Sequence, residues 1–386
     1  MIQRALHDTL VKRMDYKKAI VLMGPRQVGK TTLIKQIAKD ADAGYLYING
    51  DDPAMQLLWS NPTQQLLTQL TSGQKVIVID EAQRFSNIGI TAKMIVDAGW
   101  NVQLFLSGSS ALEIANTINE PLTGRKWEYN LLPFSWNELC NEYGLAKVLP
   151  RLPQLLVTGC YPEVIMDPGN AKEILANVAG SYLYKDILDL SGIRKPELIV
   201  KLLQVLAWQV GHEVSLNELS NTLGADKNTI GHYIDLLEKS FVIFRLSPLA
   251  RNLRNEISSS RKIYFYDNGI RNTLINNYAP IEARNDIGSL WENFMMSERI
   301  KSLRYKPFYG ASYFWRNKAK AEVDYVEETD GQFYAFEFKW NPSAKSKFPE
   351  AFLNAYNPIE NKIIHRENFW EWLVQKSFSK KNRYSY

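Results

Sequence analysis

The chain has 386 residues, 45% of them hydrophobic and 12% aromatic, which is enough core material for two or three folded domains. Its longest apolar runs are strand-sized and its N-terminus lacks an apolar signal core, which argues against a membrane-spanning or secreted protein. The only two cysteines have no CxxC spacing, which argues against structural zinc and fits a cytoplasmic protein.

The formal net charge is +5, and the basic excess lies in the last third of the chain. Residues 251–386 hold 22 Lys+Arg against 16 Asp+Glu. This distribution is consistent with a polyanion partner for that part of the chain, and a solvated basic surface explains it equally well.

A phosphate-binding loop is predicted near the N-terminus. The apolar run at 19–23 predicts a buried parallel strand, GPRQVGKTT follows it, and helical spacing comes next, which is the context that G-x-x-x-x-G-K-[ST] requires. The glycines let backbone N–H groups face an anion, Lys30 can reach the β- and γ-phosphates of ATP, and Thr31 can ligate Mg²⁺. The predicted nucleotide-binding residues are Gly24, Pro25, Arg26, Gln27, Val28, Gly29, Lys30, Thr31 and Thr32.

An acidic pair follows a second apolar strand in VIVIDEAQ at 76–83. Asp80 would hold Mg²⁺ through water, and Glu81 would polarise the water that attacks the γ-phosphate. The alternative is a strand followed by a helix-capping Asp. After the strand NVQLFL, Ser107 or Ser109 could sense the γ-phosphate or simply form a turn.

Two arginines and two aspartates are further candidates for the nucleotide site. Arg26 and Arg125 could each neutralise charge on the γ-phosphate or lie on the surface, and Arg125 could act across a subunit boundary in a homo-oligomer. Asp51 and Asp52 follow a strand, where they would assist the water or cap the helix that begins at Pro53.

The middle of the chain is predicted to be helical, with helices across 171–190 and 196–210 and a winged helix-turn-helix across 213–248. Ser215 would cap the first helix of that motif, and Gly224 would end it. The candidate reading helix offers a mixed set of side chains, so DNA contact and a packing or dimerisation role both stay open; the set is Lys227, Asn228, Thr229, His232 and Lys239.

The C-terminal third contains a hairpin with charged residues, AEVDYVEETDGQFYAFEFKW at 321–340. Asp330-Gly331 predicts the two-residue turn, which places Asp324 opposite Glu337 and Glu322 opposite Lys339. Opposed acids repel each other unless a cation lies between them, so the pattern predicts a divalent metal site. Val323, Tyr325, Phe336 and Phe338 would form the buried face.

Asp followed by Glu-x-Lys on adjacent strands is the pattern of restriction-endonuclease-like nucleases. There Asp324 and Glu337 would hold Mg²⁺, and Lys339 would activate water or stabilise the phosphate. Glu292, on a predicted helix upstream, matches the additional acid of such sites.

Motifs along nearly the whole chain resemble a prokaryotic family of AAA-type P-loop ATPases with a C-terminal domain of unknown function. They include GPRQVGKTTLI, VIVIDEAQ, FLSGSS, LTGRKWEYNLLPFSWNEL, GCYPEVI, LYKDI, YFYDNGI, GSLWENF, AEVDYV and EFKW. The family usually has Gly-Gly-Tyr-Pro-Glu where this chain has Cys160 as the second residue. The resemblance implies an ATPase core, a winged-helix-like middle and a restriction-endonuclease-like end.

The predicted fold is therefore α/β: a P-loop ATPase domain at 1–140, a helical and winged-helix-like segment at 141–250, and a nuclease-like domain at 251–386. The predicted function is Mg²⁺-dependent ATP hydrolysis that is coupled to a nucleic-acid-facing, DNA-binding module, with or without nuclease activity. The alternative is an ATP-switched regulatory or scaffold protein whose C-terminal domain is catalytically inactive. A small-molecule kinase is disfavoured because Glu81 favours water as the acceptor.

Overall fold

Five short strands form a parallel sheet in the computed structural model, which describes residues 2–14, 17–40, 44–109, 118–180, 195–250, 261–344 and 346–374. The strands β1 to β5 are Ala19–Met23, Tyr45–Asn49, Val76–Asp80, Gln103–Gly108 and Lys126–Asn130. Their order is β2-β3-β4-β1-β5, with every neighbouring pair parallel. The carboxyl ends of β1, β3 and β4 therefore lie at one edge of the sheet, where ligands of open α/β sheets bind.

The helices of this first part are amphipathic or capped as the sequence suggests. Helices α1 to α5 are His7–Arg13, Lys30–Asp40, Pro53–Ser60, Gln64–Thr71 and Ile88–Asp97. Asp52 caps α3 by accepting a hydrogen bond from Ala54 N at 2.9 Å, and Pro53 occupies the first helical turn, where its missing N–H costs nothing.

Short helices follow the first sheet. They are α6 to α10, at Trp136–Tyr143, Leu145–Val148, Leu152–Thr158, Pro162–Met166 and Ala171–Val178. The last of these confirms the start of the helix predicted across 171–190, and residues 181–194 lie outside the described part of the chain. The helix predicted across 196–210 is α11, Pro196–Trp208.

The segment after α11 has the element order strand, helix, helix, strand, strand. Strand β6 is Glu213–Val214, helices α12 and α13 are Leu216–Leu223 and Lys227–Lys239, and strands β7 and β8 are Ile243–Pro248 and Arg261–Phe265. Ser215 caps α12 and Gly224, at φ +60°, ends it, as the sequence predicts. Strand β8 pairs antiparallel with both β6 and β7.

The C-terminal part adds four strands to this sheet. Strands β9 to β12 are Gly310–Arg316, Glu322–Thr329, Gln332–Phe338 and Glu360–Ile364, and helices α14 to α17 are Asn268–Leu274, Ile287–Tyr305, Glu350–Tyr356 and Phe369–Val374. The strand order is β12-β11-β10-β9-β7-β8-β6, so one sheet continues across residue 250, where a domain boundary is predicted. Every helix within the described ranges is too short or too polar to cross a bilayer.

The hairpin of β10 and β11 has the predicted turn and register. The strands end and begin on either side of Asp330-Gly331, and the pairs run from Thr329↔Gln332 to Tyr325↔Phe336. All four residues of the predicted apolar face are buried, but they do not share one face. Tyr325, Phe336 and Phe338 belong to the main core, while Val323 packs in a second cluster with Val326 and Ala335, where the register of β10 against β9 shifts. Both faces of the hairpin are therefore covered, and the buried Glu327 pairs with Arg299 of α15.

Gly159 explains part of the GCYPE motif. Its φ is +71°, and a Cβ built on it would lie 2.0 Å from Asp267 Oδ1. The Asp267 carboxylate is buried and accepts hydrogen bonds from the N–H groups of Cys160, at 2.7 Å, and Gly269, at 2.8 Å. The absence of a side chain at Gly159 therefore allows GCYPE and YFYDNG to pack together.

We expect Gly159→Ala to lower the free energy of unfolding by more than about 2 kcal/mol, because it combines backbone strain with a steric clash. Gly144→Ala is the matched control: its φ is +83°, but a Cβ there would meet no atom within 4 Å. The control should cost only the backbone term, about 1 kcal/mol. Urea denaturation of the two variants measures the difference, and equal losses would contradict the role of the clash.

Candidate functional sites

The phosphate-binding loop lies between β1 and α2, as predicted. Gly24 cannot be replaced without rearrangement, because a Cβ there would lie 1.9 Å from Leu131 O. Lys30 begins α2 and donates hydrogen bonds to Gly24 O at 2.8 Å and to Pro25 O at 2.9 Å. The lysine is buried, so its ammonium group is held at the mouth of the loop.

Asp80 is the centre of a hydrogen-bond cluster at the end of β3. It accepts bonds from Thr31 Oγ1 at 2.6 Å, from the Tyr47 hydroxyl at 2.7 Å and from the Ser107 hydroxyl. Burial opposes ionisation, but the bonds from Ser107, Thr31 and Tyr47 hold the pKa of Asp80 below its usual value. Asp80 is thus an ionised carboxylate beside the predicted Mg²⁺ ligand Thr31.

Tyr47 and the two serines refine the predicted site. Ser107, predicted as a γ-phosphate sensor or turn residue, bonds to Asp80, while Ser109 lies 3.5 Å from Glu81 Oε2. Sequence reasoning missed Tyr47, although its position on a strand that neighbours β3 places it within reach. Burial and the nearby carboxylate raise the pKa of the Tyr47 hydroxyl, so it acts as a donor to Asp80.

Glu81 has an unusual backbone conformation for a residue with a side chain. Its φ is +49° and its ψ +48°, a left-handed conformation that costs about 1–3 kcal/mol and is concentrated at functional sites. Gln83 Nε2 donates to Glu81 Oε2 at 2.6 Å. Gly50, directly after β2, packs against this turn, and its N–H donates a hydrogen bond to Asp80 O at 2.9 Å. A Cβ on Gly50 would lie 2.4 Å from Glu81 O, so the close packing requires glycine at this position.

Arg125 does not reach the phosphate loop of its own chain, which corrects one of the predicted roles. It precedes β5 at the opposite end of the sheet from the loop, because Ala19 pairs with Lys126 and Met23 with Asn130 in parallel strands. Its Nε bonds to Asp97 at 2.5 Å. A role across a subunit boundary stays a prediction. Of the two aspartates after β2, Asp52 caps α3, and Asp51 lies 3.7 Å from Arg84.

An apolar cavity of about 600 Å³ adjoins the loop. Its walls include Ile2, Val28, Leu33, Phe134 and Met166, and its polar rim includes Arg4, His7, Gln36 and Asp40. Residues from the N-terminal segment, α2 and α9 therefore enclose a space next to the phosphate loop. Sequence reasoning missed this cavity because its walls are far apart along the chain.

Two of the predicted C-terminal acids, Asp324 and Glu337, contact the ammonium group of Lys339. Lys339 Nζ lies 2.7 Å from Glu337 Oε2 and 3.4 Å from Asp324 Oδ2. Asp324 Oδ2 also accepts a hydrogen bond from Phe338 N at 2.8 Å. Asp324 and Glu337 thus face the same cation, as the hairpin register predicts.

The predicted pair of Glu322 with Lys339 is wrong. Glu322 forms ion pairs with Lys262 and, at 3.6 Å, with Arg316. The strands β10 and β11 separate here, because Phe338 N bonds to the side chain of Asp324 and Lys339 N bonds to Ile364 O of β12. Lys339 is therefore turned toward the acids at 324 and 337.

Glu292 lies beside a second lysine. Its Oε1 accepts hydrogen bonds from Lys262 Nζ at 2.9 Å and from the Tyr264 hydroxyl at 2.7 Å. Glu292 and Asp324 line one cavity of about 530 Å³, together with His212, Glu213, Arg316 and Trp340. Sequence reasoning missed Lys262, Glu213 and Arg316, which come from strands that only the tertiary arrangement brings to the hairpin.

Acidic groups outnumber basic ones in this ion-pair cluster. It contains five carboxylates and three cations: Glu213, Glu292, Glu322, Asp324 and Glu337 with Lys262, Arg316 and Lys339. Burial and the charge of Asp324 raise the pKa of Glu337 to about 7, and burial likewise raises the pKa of Glu292. The cluster thus has two more acidic than basic groups.

The predicted metal ligands contact two different lysines. Glu292 contacts Lys262, while Asp324 and Glu337 contact Lys339. In the part of the chain that the structure describes, no three His, Cys, Asp or Glu side chains form a group that could hold a metal ion.

Helix α15, which carries Glu292, is anchored where it begins. Asp286 precedes its first residue and pairs with Arg271 at 2.5 Å and Arg284 at 2.7 Å. Burial opposes ionisation, but the two guanidinium groups lower the pKa of Asp286 to about 2.

We expect Asp286→Asn to lower the free energy of unfolding by about 2 kcal/mol at neutral pH. Because the folded-state pKa is depressed, the contribution of Asp286 is present above its unfolded pKa of about 4. It is lost as the pH falls towards 2, where both states are protonated. Urea denaturation between about pH 6 and pH 3 should show the wild type and the variant converging. A difference that does not change with pH would contradict this assignment.

The phosphate loop, the acidic pair after β3 and the parallel sheet give the first part of the chain the fold of a P-loop ATPase domain. A family model described as an AAA domain matches residues 16–140. Residues 149–280 and 287–374 match two models described as domains of unknown function, DUF8612 and DUF4143.

Two relatives that match most of this chain are described as uncharacterized proteins. "Uncharacterized protein Rv2008c" of Mycobacterium tuberculosis is 26% identical over 344 residues, which cover 88% of this chain and 72% of that protein. "Uncharacterized protein MJ1637" of Methanocaldococcus jannaschii is 24% identical over 346 residues, 78% of this chain and 73% of the relative. A solved structure, the Walker-type ATPase paby2304 of Pyrococcus abyssi, aligns with a TM-score of 0.50 and 15% identity over 71% of this chain and 96% of its own, a likeness of fold alone.

Proposed function

We propose that the chain binds ATP with Mg²⁺, hydrolyses it, and couples its nucleotide state to a nucleic-acid-facing C-terminal module. The observation that carries the first half is the cluster at Asp80, where the hydroxyl of Thr31 meets an ionised carboxylate beside Lys30. Hydroxyl and carboxylate oxygens are the ligands that Mg²⁺ prefers, so Thr31 and Asp80 fit this ion. When bound, Mg²⁺ would neutralise charge on the β- and γ-phosphate oxygens.

The side chains of the site have separate tasks in this reaction. Lys30 and the N–H groups of the loop would orient the phosphates, and Glu81 would accept a hydrogen bond from the attacking water and take its proton. Gln83 holds the Glu81 carboxylate by its 2.6 Å bond. The apolar cavity beside Val28 would accept the nucleoside part of ATP.

Nucleotide binding tests the proposal. A fluorescent ATP analogue should bind the full chain, and Lys30→Ala should weaken its binding at least about tenfold, since a charged contact to phosphate is lost. Lys39→Ala is the matched control, because Lys39 is an exposed lysine of the same helix. Equal affinities of the two variants would contradict the assigned role of Lys30.

For the C-terminal cavity, we propose a divalent-cation-dependent nuclease centre. The observation that supports it is the excess of acidic groups around Asp324, which one divalent cation would balance. As they are placed, Glu292, Asp324 and Glu337 do not form a three-ligand group. They would supply oxygen ligands only once an ion displaced Lys262 and Lys339 from them, and a bound ion would provide polarisation of a phosphodiester. Lys339 would then stabilise charge on the phosphate.

A second candidate is an ATP-switched scaffold whose C-terminal cavity binds no metal. It is favoured by the positions of Lys262 and Lys339, whose ammonium groups already lie between the carboxylates. Calorimetric titration of the full chain with Mn²⁺ separates the two candidates. A site that Asp324→Asn removes would support the nuclease centre, and identical titrations of both proteins would support the scaffold.

The nucleic-acid-facing surface in this proposal is α13 in a winged-helix arrangement. The element order from α11 to β8 supports that arrangement. Four of the five predicted reading residues are exposed: Lys227, Asn228, His232 and Lys239. The neighbouring acids keep the helix only weakly basic, so we expect salt-sensitive binding of modest affinity to DNA.

A further inference from the structure

Arg4 lies outside every predicted motif, yet it contacts the phosphate loop directly. Its Nη1 donates to Val28 O at 2.6 Å, its Nη2 to Leu132 O at 2.6 Å and its Nε to Glu138 Oε1 at 2.9 Å. Arg4 and Glu138 are both buried. Most of the guanidinium's hydrogen-bonding capacity is thus used to join three separate segments of the chain.

The contact with Val28 O fixes the orientation of one peptide unit in the loop. A trans peptide is planar, and its C=O and N–H point in opposite directions. Since Arg4 holds Val28 O, the N–H of Gly29 points away from Arg4. Gly29, at φ +91°, would otherwise allow this peptide to turn over, because glycine tolerates both signs of φ.

The same arginine is connected to helix α15. Leu132, which accepts from Arg4, donates its N–H to the Tyr305 hydroxyl at 3.0 Å. Two residues further along, Phe134 O accepts from Lys301 Nζ at 3.0 Å, and Trp136 N donates to Glu298 Oε2 at 2.6 Å. The segment 132–136 therefore lies between Arg4 on one side and the C-terminal end of α15 on the other.

The other end of α15 carries Glu292 into the C-terminal cavity. From Tyr305 to Glu292 is about 20 Å along this helix, and from Glu298, which contacts Trp136 N, about 9 Å. The polar contacts between the helix and the first part of the chain are buried hydrogen bonds to backbone groups, two of them made by the Glu298–Lys301 ion pair of the helix. Buried polar groups of this kind favour one geometry more than they add net stability. A change at the loop that moves Arg4 would thus reach the cavity through few contacts.

We infer that Arg4 is a positioning residue for the phosphate loop and that its contacts, through Leu132 and Tyr305, couple the nucleotide state to the C-terminal cavity. The inference rests on the proposed function, because it names how that site is held and what it regulates. A coupling of this kind must be reciprocal between the two sites.

The test uses the full chain in five forms, namely wild type, Arg4→Met, Arg4→Lys, Tyr305→Phe and Arg13→Met, each with an environment-sensitive label at Asn341→Cys in the cavity lining. In the wild type, saturating ATP with Mg²⁺ should change the label signal. Arg4→Met should raise the dissociation constant for ATP at least about tenfold and abolish the signal change at saturation. Arg4→Lys, which keeps the charge but has fewer donors, should lie between them.

Tyr305→Phe separates positioning from coupling. It should bind ATP within about twofold of the wild type and lose the signal change, since only the hydroxyl contact to Leu132 is removed. Arg13→Met is the matched control for general damage to the N-terminal segment: Arg13 lies over Trp127 at 4.1 Å and should affect neither readout.

Three outcomes would overturn the inference. ATP affinity and signal change in Arg4→Met equal to those of the wild type would remove the positioning role. A full signal change in Tyr305→Phe would remove the coupling route. No ATP binding by the wild type would instead overturn the proposed function, and the inference with it.

Discussion

Glu81→Gln should lower the turnover number of ATP hydrolysis by about 100- to 10,000-fold while nucleotide affinity stays within a few-fold of the wild type. The amide keeps the size of the side chain and its contact with Gln83, but it cannot take a proton from water. Phosphate release at saturating ATP measures turnover, and a fluorescent ATP analogue measures affinity.

The left-handed backbone at Glu81 makes the choice of variant important. Glutamine preserves the side-chain volume, so loss of activity cannot be attributed to a collapsed turn. Glu120→Gln, at an exposed acid of the same domain, is the matched control and should leave turnover unchanged. Turnover within threefold of the wild type in Glu81→Gln would show that another group handles the proton.

Asp324→Asn should abolish divalent-cation-dependent cleavage of plasmid DNA and remove the Mn²⁺ site from the calorimetric titration. The amide oxygen can still accept the bond from Phe338 N, so the local fold should survive. The lost charge, however, reduces the acidic excess that the cation would balance. Cleavage should be measured with Mg²⁺ and with Mn²⁺, in the presence and absence of ATP.

The control for this variant lies on the same hairpin. Asp330→Asn makes the same chemical change at an exposed turn residue with φ +54°, a conformation that asparagine tolerates well. It should cleave and bind Mn²⁺ like the wild type. Persistent cleavage by Asp324→Asn would assign the activity elsewhere, and absence of cleavage and metal binding in the wild type would favour the scaffold.

The nucleotide site could be predicted well because its key groups are close to the ends of recognisable strands. Lys30 and Thr31 belong to one local motif, and Asp80 follows a run of apolar residues that can only be a buried strand. Tyr47 was missed because nothing local distinguishes it, although its neighbour strand could be inferred. The predicted role of Arg125 at the phosphate loop of its own chain was wrong, because sequence spacing does not show which end of β5 lies beside the loop.

The C-terminal site could be predicted only as far as one hairpin extends. The turn at Asp330-Gly331 sets the register, and Asp324, Glu337 and Lys339 follow from it. The partner of Glu322 could not be predicted, because Lys262 belongs to β8. This strand is far from the hairpin along the sequence, and only the folded sheet brings the two side chains together. The role of Arg4 could not be predicted either, because the residues that it contacts are more than twenty positions away in the sequence.

Phosphate release from ATP by the full chain tests the central claim most directly. The wild type should release phosphate in the presence of Mg²⁺ and lose this activity with EDTA, and Lys30→Ala should abolish it while Lys39→Ala does not. No release by the folded wild type, or equal release by the wild type and Lys30→Ala, would contradict ATP hydrolysis at this loop.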